Sequence, residues 1–75
     1  MSHKLPIIKD IELIRVLQKL GFFEHRQSGS HLVMKHEDGR RAVVSVHPGC
    51  DIPRGTLKGI LRDIQVSNEE FEGLL

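Results

Sequence analysis

Residues 31–46, HLVMKHEDGRRAVVSV, decide the fold, because two runs that favour strands flank a Glu-Asp-Gly turn sequence. The length of the turn matters, since a slip of one residue moves every side chain to the other face of a sheet. A two-residue turn would mix apolar and charged side chains on each face. A three-residue loop of residues 37–39, with Gly39 in the left-handed bulge position, pairs His31 with Ser45 and separates the two kinds of side chain. We therefore predict the three-residue loop.

This register divides the hairpin into an apolar face and an open face. The apolar face is predicted to consist of Leu32, Met34, Ala42, Val44 and Val46. The other face is predicted to carry His31, Val33, Lys35, Arg41, Val43, Ser45 and His47. An apolar sheet face has to be covered, so other elements must pack against it.

Apolar residues at helical spacing predict the covering helices. A helix over residues 11–20, which ends before Gly21, has the apolar positions Leu13, Ile14, Leu17 and Leu20. A second helix, with Pro53 at its first position, presents Leu57, Ile60, Leu61 and Ile64. Ser67 and Glu70 predict a capping box for a short last helix with Phe71, Leu74 and Leu75.

A further strand is predicted over residues 22–27, where the pattern is irregular but extended, and a tight turn at residues 28–30 joins it to the hairpin. The order is then helix, three-stranded antiparallel sheet, helix, short C-terminal helix. We predict a single α+β domain over residues 1–75, with two layers and one sheet face left free.

Composition limits the classes of function. A 75-residue chain has a thin core, so a site is expected on an open face rather than in a deep cavity. The single cysteine, Cys50, excludes a disulfide-rich secreted scaffold, and no apolar leader or membrane span is visible, which predicts a cytoplasmic protein without a membrane partner. Residues 26–62 hold seven basic and three acidic side chains, whereas residues 63–75 hold four acids and no base.

Cations are expected to gather on the open face. Lys35 is predicted to lie opposite Arg41, and like charges that face each other across strands are destabilising unless an anion such as phosphate lies over them. The alternative is that both long side chains extend separately into water. Arg54, Lys58 and Arg62 form a basic stripe on the second long helix, a pattern that is also typical of an ordinary solvated helix face.

Histidine suits general acid–base work on a phosphodiester because its charge changes near neutral pH. His47 is predicted to lie diagonally from His31, close enough for both to flank one phosphate. His25 and His36 lack comparable neighbours and are not candidates. A zinc site at His47 and Cys50 has no second ligand pair at a recognisable spacing, and no basic surroundings activate the thiol, so we predict neither a metal nor a cofactor.

Several segments together form a recognisable pattern: Arg26-Gln27-Ser28-Gly29-Ser30-His31, His36-Glu37-Asp38-Gly39-Arg40-Arg41, Val46-His47-Pro48-Gly49, Gly55-Thr56-Leu57 with Ile60-Leu61, and Glu70-Phe71. With these segments the sequence resembles the HicA family of small bacterial and archaeal toxins. The Gly-Ser-His element is the specific one, and the resemblance spans nearly the whole chain.

The resemblance implies a fold like that of double-stranded-RNA-binding domains, an mRNA-cleaving endoribonuclease activity, and neutralisation by a HicB antitoxin. It makes His31 the expected catalytic residue. His47 as a second acid–base group comes from the register instead. The expected RNA contacts are Arg26, Ser30, Lys35, Arg41, Arg54 and Lys58.

Three hypotheses follow. The first is a metal-independent endoribonuclease of a type II toxin–antitoxin pair, in which His31 activates a ribose 2′-OH and Lys35 and Arg41 stabilise charge on the phosphoryl oxygens. The second is a non-catalytic RNA-binding module on the same fold. The third is an interaction domain whose open face docks a protein.

Overall fold

A three-stranded antiparallel sheet in the order β1-β2-β3 forms one layer of the domain, and helices form the other. The computed structural model describes residues 5–75, so residues 1–4 of the predicted domain lie outside the described residues. The elements are α1 (Asp10–Lys19), β1 (Phe23–Ser28), β2 (His31–Lys35), β3 (Arg41–Ser45), α2 (Arg54–Asp63) and α3 (Asn68–Leu74). The predicted α+β class and element order are confirmed, and the arrangement is consistent with a double-stranded-RNA-binding-domain-like fold.

The predicted register of the β2–β3 hairpin is confirmed. His31 lies opposite Ser45 and Lys35 lies opposite Arg41. The backbone N–H of His36 donates to the carbonyl oxygen of Arg40 at 2.9 Å, which closes the three-residue loop. Gly39 has a φ of +97°, as the left-handed bulge position requires.

The core lies between the sheet and the helices. The sheet contributes the buried side chains Leu32, Met34, Ala42 and Val44, and Val46 packs against them while partly exposed. The helices and their ends contribute Leu13, Val16, Leu17, Leu57, Leu61, Ile64 and Phe71, all fully buried. Each such side chain stabilises the fold by roughly 1.5–3 kcal/mol relative to exposure, so packing on this one face holds the two layers together.

Two buried segments have no regular spacing and were not predicted. Leu5 and Ile8 precede α1, and Ile52 precedes α2. The backbone N–H of Ile52 donates to the carbonyl oxygen of Ile8 at 2.8 Å, so the two segments meet and close one edge of the core.

Three of the predicted element boundaries differ in the structure. α1 begins one residue earlier, at Asp10, and Pro53 precedes α2 instead of occupying its first position. The third strand ends at Ser45 rather than continuing to residue 47. The Ser67 hydroxyl accepts the predicted cap bond from the N–H of Glu70, at 3.0 Å.

Leu75, which was predicted among the apolar positions of the last helix, is 49% exposed. It follows the last residue of α3, where the helical periodicity that would turn it inward no longer applies.

Candidate functional site

The open face of the sheet has three rows of side chains, because residues paired across antiparallel strands share a face. The row nearest the β1–β2 turn consists of Ser28, His31 and Ser45. The middle row consists of Arg26, Val33 and Val43. The row at the other end of the sheet consists of Phe23, Lys35 and Arg41.

His31 lies at the start of β2, directly after the tight turn formed by Gly29 and Ser30. Gly29 has a φ of +56°, and the carbonyl oxygen of Ser30 accepts a bond from the N–H of Val46. The imidazole is exposed, and within residues 5–75 no side-chain hydrogen bond or ion pair engages it. Both ring nitrogens therefore remain available to a substrate that crosses this face.

A β-bulge in β1 adds a residue that sequence reasoning missed. Glu24 pairs with Met34 and Arg26 pairs with Val33, so His25 is the extra residue between two pairs. A bulge redirects side chains locally, and both His25 and Arg26 line a shallow groove on the open face together with Val33, Lys35 and Arg41. The signal in the sequence was the irregular alternation of residues 22–27.

The strand residues on the open face carry positive charges and no negative charge. Arg26, Lys35 and Arg41 all lie on it. The one acidic residue of the three strands, Glu24, pairs with Met34 and so belongs to the helix-facing side. A cationic surface without carboxylates in its strands favours polyanionic ligands.

The cations of the open face lie at different distances from His31, as the spacing of residues along and across the strands shows. Arg26 precedes Ser28, the partner of His31, by two positions, and such diagonal neighbours have Cα atoms about 7–8 Å apart. Lys35 is four residues further along β2 than His31, which corresponds to ~13 Å at ~3.4 Å per residue. Arg26 is therefore the nearer cation, and the Lys35–Arg41 pair occupies the far end of the face.

His47 lies outside the sheet, two residues beyond the end of β3. Its backbone N–H donates to Oδ2 of Asp10 at 2.9 Å, while Oδ1 of the same buried carboxylate accepts from the N–H of Ile11 at 2.7 Å. His47 also lines a cavity of about 70 Å³ with Ser45 and Cys50, and His31 is not among the residues of its wall. The diagonal placement beside His31 assumed a strand that continued to residue 47, and the structure does not contain that continuation.

The remaining predicted contacts are divided between two surfaces. Ser30 is half-buried in the turn before His31. Nε of Arg54 donates to the carbonyl oxygen of Leu5 at 2.8 Å, so this guanidinium fixes the segment before α1. Lys58 is exposed on α2, in the helical layer. The structure therefore brings Arg26, Lys35 and Arg41 together with His31 on one sheet face, and it leaves Arg54 and Lys58 apart from them.

Among residues 5–75, no group of three or more His, Cys, Asp or Glu side chains is arranged to hold a metal ion. Within the same range no helix has the length and apolar character needed to cross a membrane.

Comparison with known protein families shows which family the chain belongs to. The sequence model described as HicA toxin of bacterial toxin-antitoxin matches residues 12–66, which include the whole sheet, His31 and α2. No curated protein matches the chain. The matched segment covers well over half of the 75 residues, and the chain belongs to the HicA toxin family of bacterial toxin–antitoxin systems.

Proposed function

We propose that this chain is an endoribonuclease toxin that cleaves mRNA without a metal ion and uses His31 as its acid–base group. The observation that carries the proposal is the exposed imidazole of His31, whose ring nitrogens are unengaged within the described residues, on a cationic open face. Membership in a toxin family also supports the proposal, because cleavage of mRNA would make the protein toxic to the cell.

The proposed reaction is an acid–base transesterification that begins at His31. A ring nitrogen of His31 accepts the proton of a ribose 2′-OH, and the 2′-oxygen then attacks the adjacent phosphorus. The bond from phosphorus to the 5′-oxygen of the next nucleotide breaks, and that oxygen takes up a proton. The products are a 2′,3′-cyclic phosphate and a free 5′-hydroxyl.

We assign charge stabilisation on the phosphoryl oxygens to Arg26 rather than to Lys35 and Arg41. Arg26 is about 7–8 Å from His31 between Cα atoms, which a guanidinium spans easily when both side chains reach for one phosphate. Lys35 and Arg41, ~13 Å along the strand, are better suited to neighbouring phosphates of the same RNA.

His47 remains our candidate for protonating the leaving oxygen. Its backbone is tied to the buried carboxylate of Asp10, so its position relative to β3 is well defined. The alternative donor is His31 itself, which carries a proton after the first step. Loss of most cleavage in His47→Ala supports the first assignment, and unchanged cleavage supports the second.

The partner of this toxin is proposed to be a HicB-type antitoxin that acts in the cytoplasm by covering the open face. A thin domain offers no remote cleft for an inhibitor, and acidic groups placed over Lys35 and Arg41 would relieve their repulsion as phosphates would. The same partner would then compete with RNA for one surface.

Cleavage in the presence of excess EDTA tests the function. The wild-type protein should cut mRNA and leave 2′,3′-cyclic phosphate ends, whereas His31→Ala should lose roughly 10²–10⁴-fold in rate. Circular dichroism and melting of His31→Ala provide the folding control. Activity that EDTA abolishes and magnesium restores would contradict the mechanism. Binding of RNA without any cleavage would instead favour the non-catalytic RNA-binding module.

A further inference from the structure

Phe23 is an exposed aromatic residue whose position the core does not explain. The chain has three phenylalanines and neither Trp nor Tyr; Phe22 and Phe71 are buried, whereas Phe23 is 49% exposed. Consecutive strand residues point to opposite faces, so Phe22 lies on the core side and Phe23 on the open face. An aromatic ring that is held on a rigid strand but left half in water is available to a ligand.

The neighbours of Phe23 indicate the chemistry of that ligand. Phe23 lies directly opposite Lys35, which lies directly opposite Arg41, so one row across the sheet contains a ring and two cations. The groove beside this row adds Arg26 and His25 from the bulge. A planar ring next to cations matches a nucleotide, which presents a flat base beside a charged phosphate. In a duplex the base faces are already stacked on one another, so only an unpaired base can meet the ring.

We propose that Phe23 stacks on an unpaired RNA base while Lys35 and Arg41 hold the adjacent phosphate. This base subsite lies ~13 Å along β2 from the row of His31, so it engages a nucleotide a short distance from the phosphate that is cut. The inference rests on the proposed function for the identity of the polymer as RNA. Phe23 is a positioning residue and takes no part in bond cleavage.

The experiment measures binding separately from cleavage. The probe is a fluorescent 2′-O-methyl RNA oligonucleotide, which lacks the 2′-OH that the proposed reaction requires, in single-stranded form and as a duplex of the same sequence. Binding of wild type, Phe23→Leu, Phe23→Tyr and Ile11→Ala is followed by fluorescence anisotropy. Ile11 is the matched control because it is 51% exposed and apolar but lies on α1, in the other layer.

Loss of the ring should weaken single-strand binding selectively. Phe23→Leu is expected to lower the affinity for the single strand about tenfold, whereas Phe23→Tyr and Ile11→Ala leave it unchanged. Duplex affinity should be the same for all four proteins. A Phe23→Leu protein that binds the single strand like wild type overturns the proposal, as does an equal loss for single strand and duplex, or a wild type that binds no single strand.

The outcomes also separate this inference from the proposed function. If RNA binding depends on Phe23 but the protein cuts no RNA, the base subsite is supported and the nuclease activity is rejected. If cleavage depends on His31 but Phe23→Leu has no effect on binding, the nuclease activity is supported and the base subsite is rejected. If Phe23→Leu weakens only the complex with the antitoxin, the ring belongs to a protein interface and the base subsite is rejected.

Discussion

His31 and His36 lie at the two ends of β2, and the contrast between them distinguishes the proposed catalytic histidine from a structural one. The Asp38 backbone N–H donates to Nδ1 of His36 at 3.1 Å, and Nε2 of the same ring lies 3.0 Å from the carbonyl oxygen of Leu20. The ring also packs edge-on against Phe22, with centroids 5.1 Å apart. His31, five residues earlier, is exposed and has no such engagement within the described residues. Free ring nitrogens, not residue type, distinguish the candidate for chemistry.

The two ends of the sheet also differ in how far their side chains are engaged in contacts with the rest of the protein. At the hairpin end, the guanidinium of Arg40 lies 5.2 Å from the Phe22 ring centroid, donates to the carbonyl oxygen of Ile64 at 2.7 Å and pairs with Asp38 at 2.7 Å. These contacts join the hairpin loop to the end of α2 and to Phe22, which precedes β1. The turn before His31 has mainly local backbone contacts, so that end of the sheet stays open to a substrate.

The largest effect on stability is expected from a substitution at Gly21, which lies against the His36 ring at the hairpin end of the sheet. Gly21→Ala should destabilise the fold by about 2–3 kcal/mol, because Gly21 has a φ of +100° and a Cβ there would lie 2.8 Å from Nε2 of His36. Gly29→Ala is the matched control at the other end. Gly29 has a φ of +56° and no atom within 4 Å of an added Cβ, so only the left-handed strain of about 1 kcal/mol applies. Urea denaturation measures both, and equal losses would contradict the contrast.

Removing the His36 ring should have the next largest effect on stability. His36→Ala is expected to cost about 2 kcal/mol, because it leaves the Leu20 carbonyl and the Asp38 N–H without this partner and removes the contact with Phe22. His31→Ala should change the free energy of unfolding by less than about 0.5 kcal/mol, as is usual for an exposed site. Similar destabilisation by both substitutions would show that the two rings are equally structural.

The sequence predicted the sheet and its register well because alternation and loop geometry are local. The three-residue loop was predicted because it separates apolar from charged side chains; it places Lys35 opposite Arg41, and the structure agrees. The segment containing Leu5 and Ile8 was missed because its burial depends on contact with residues around Ile52, far along the chain. No local period marks such a segment.

The candidate site was predicted less completely than the fold. The family resemblance singled out His31, and the register brought Lys35 and Arg41 onto its face. The bulge at His25 changed which β1 residues join them, and a one-residue irregularity is not specified by alternation. The second acid–base candidate, His47, lies beyond the end of β3, and its backbone N–H donates to Asp10, 37 residues earlier, a contact that no local pattern marks.

The smallest effect concerns the pH dependence of the hairpin end. The N–H of Arg40, which donates to Asp38 at 3.0 Å, together with the Arg40 guanidinium holds the pKa of Asp38 below its ordinary value of 3.8. A carboxyl group whose pKa is lower in the folded state stabilises the fold at neutral pH, and this stabilisation is lost as pH falls through the folded pKa. Asp38→Asn should therefore be less stable than wild type at pH 7, with the difference shrinking below about pH 3.8. Glu37→Gln, an exposed neighbour, is the control, and a difference for Asp38→Asn that is constant with pH would contradict this assignment.

The most direct test of the account compares RNA cleavage by His31→Ala and His36→Ala at a temperature where both are folded, with the rate expressed per folded molecule. Loss of the His31 ring should abolish metal-free cleavage in a protein as stable as wild type. His36→Ala should cleave at close to the wild-type rate despite its lower stability. Retained cleavage in folded His31→Ala, or a comparable loss in folded His36→Ala, would contradict the assignment of one catalytic and one structural histidine to the two ends of β2.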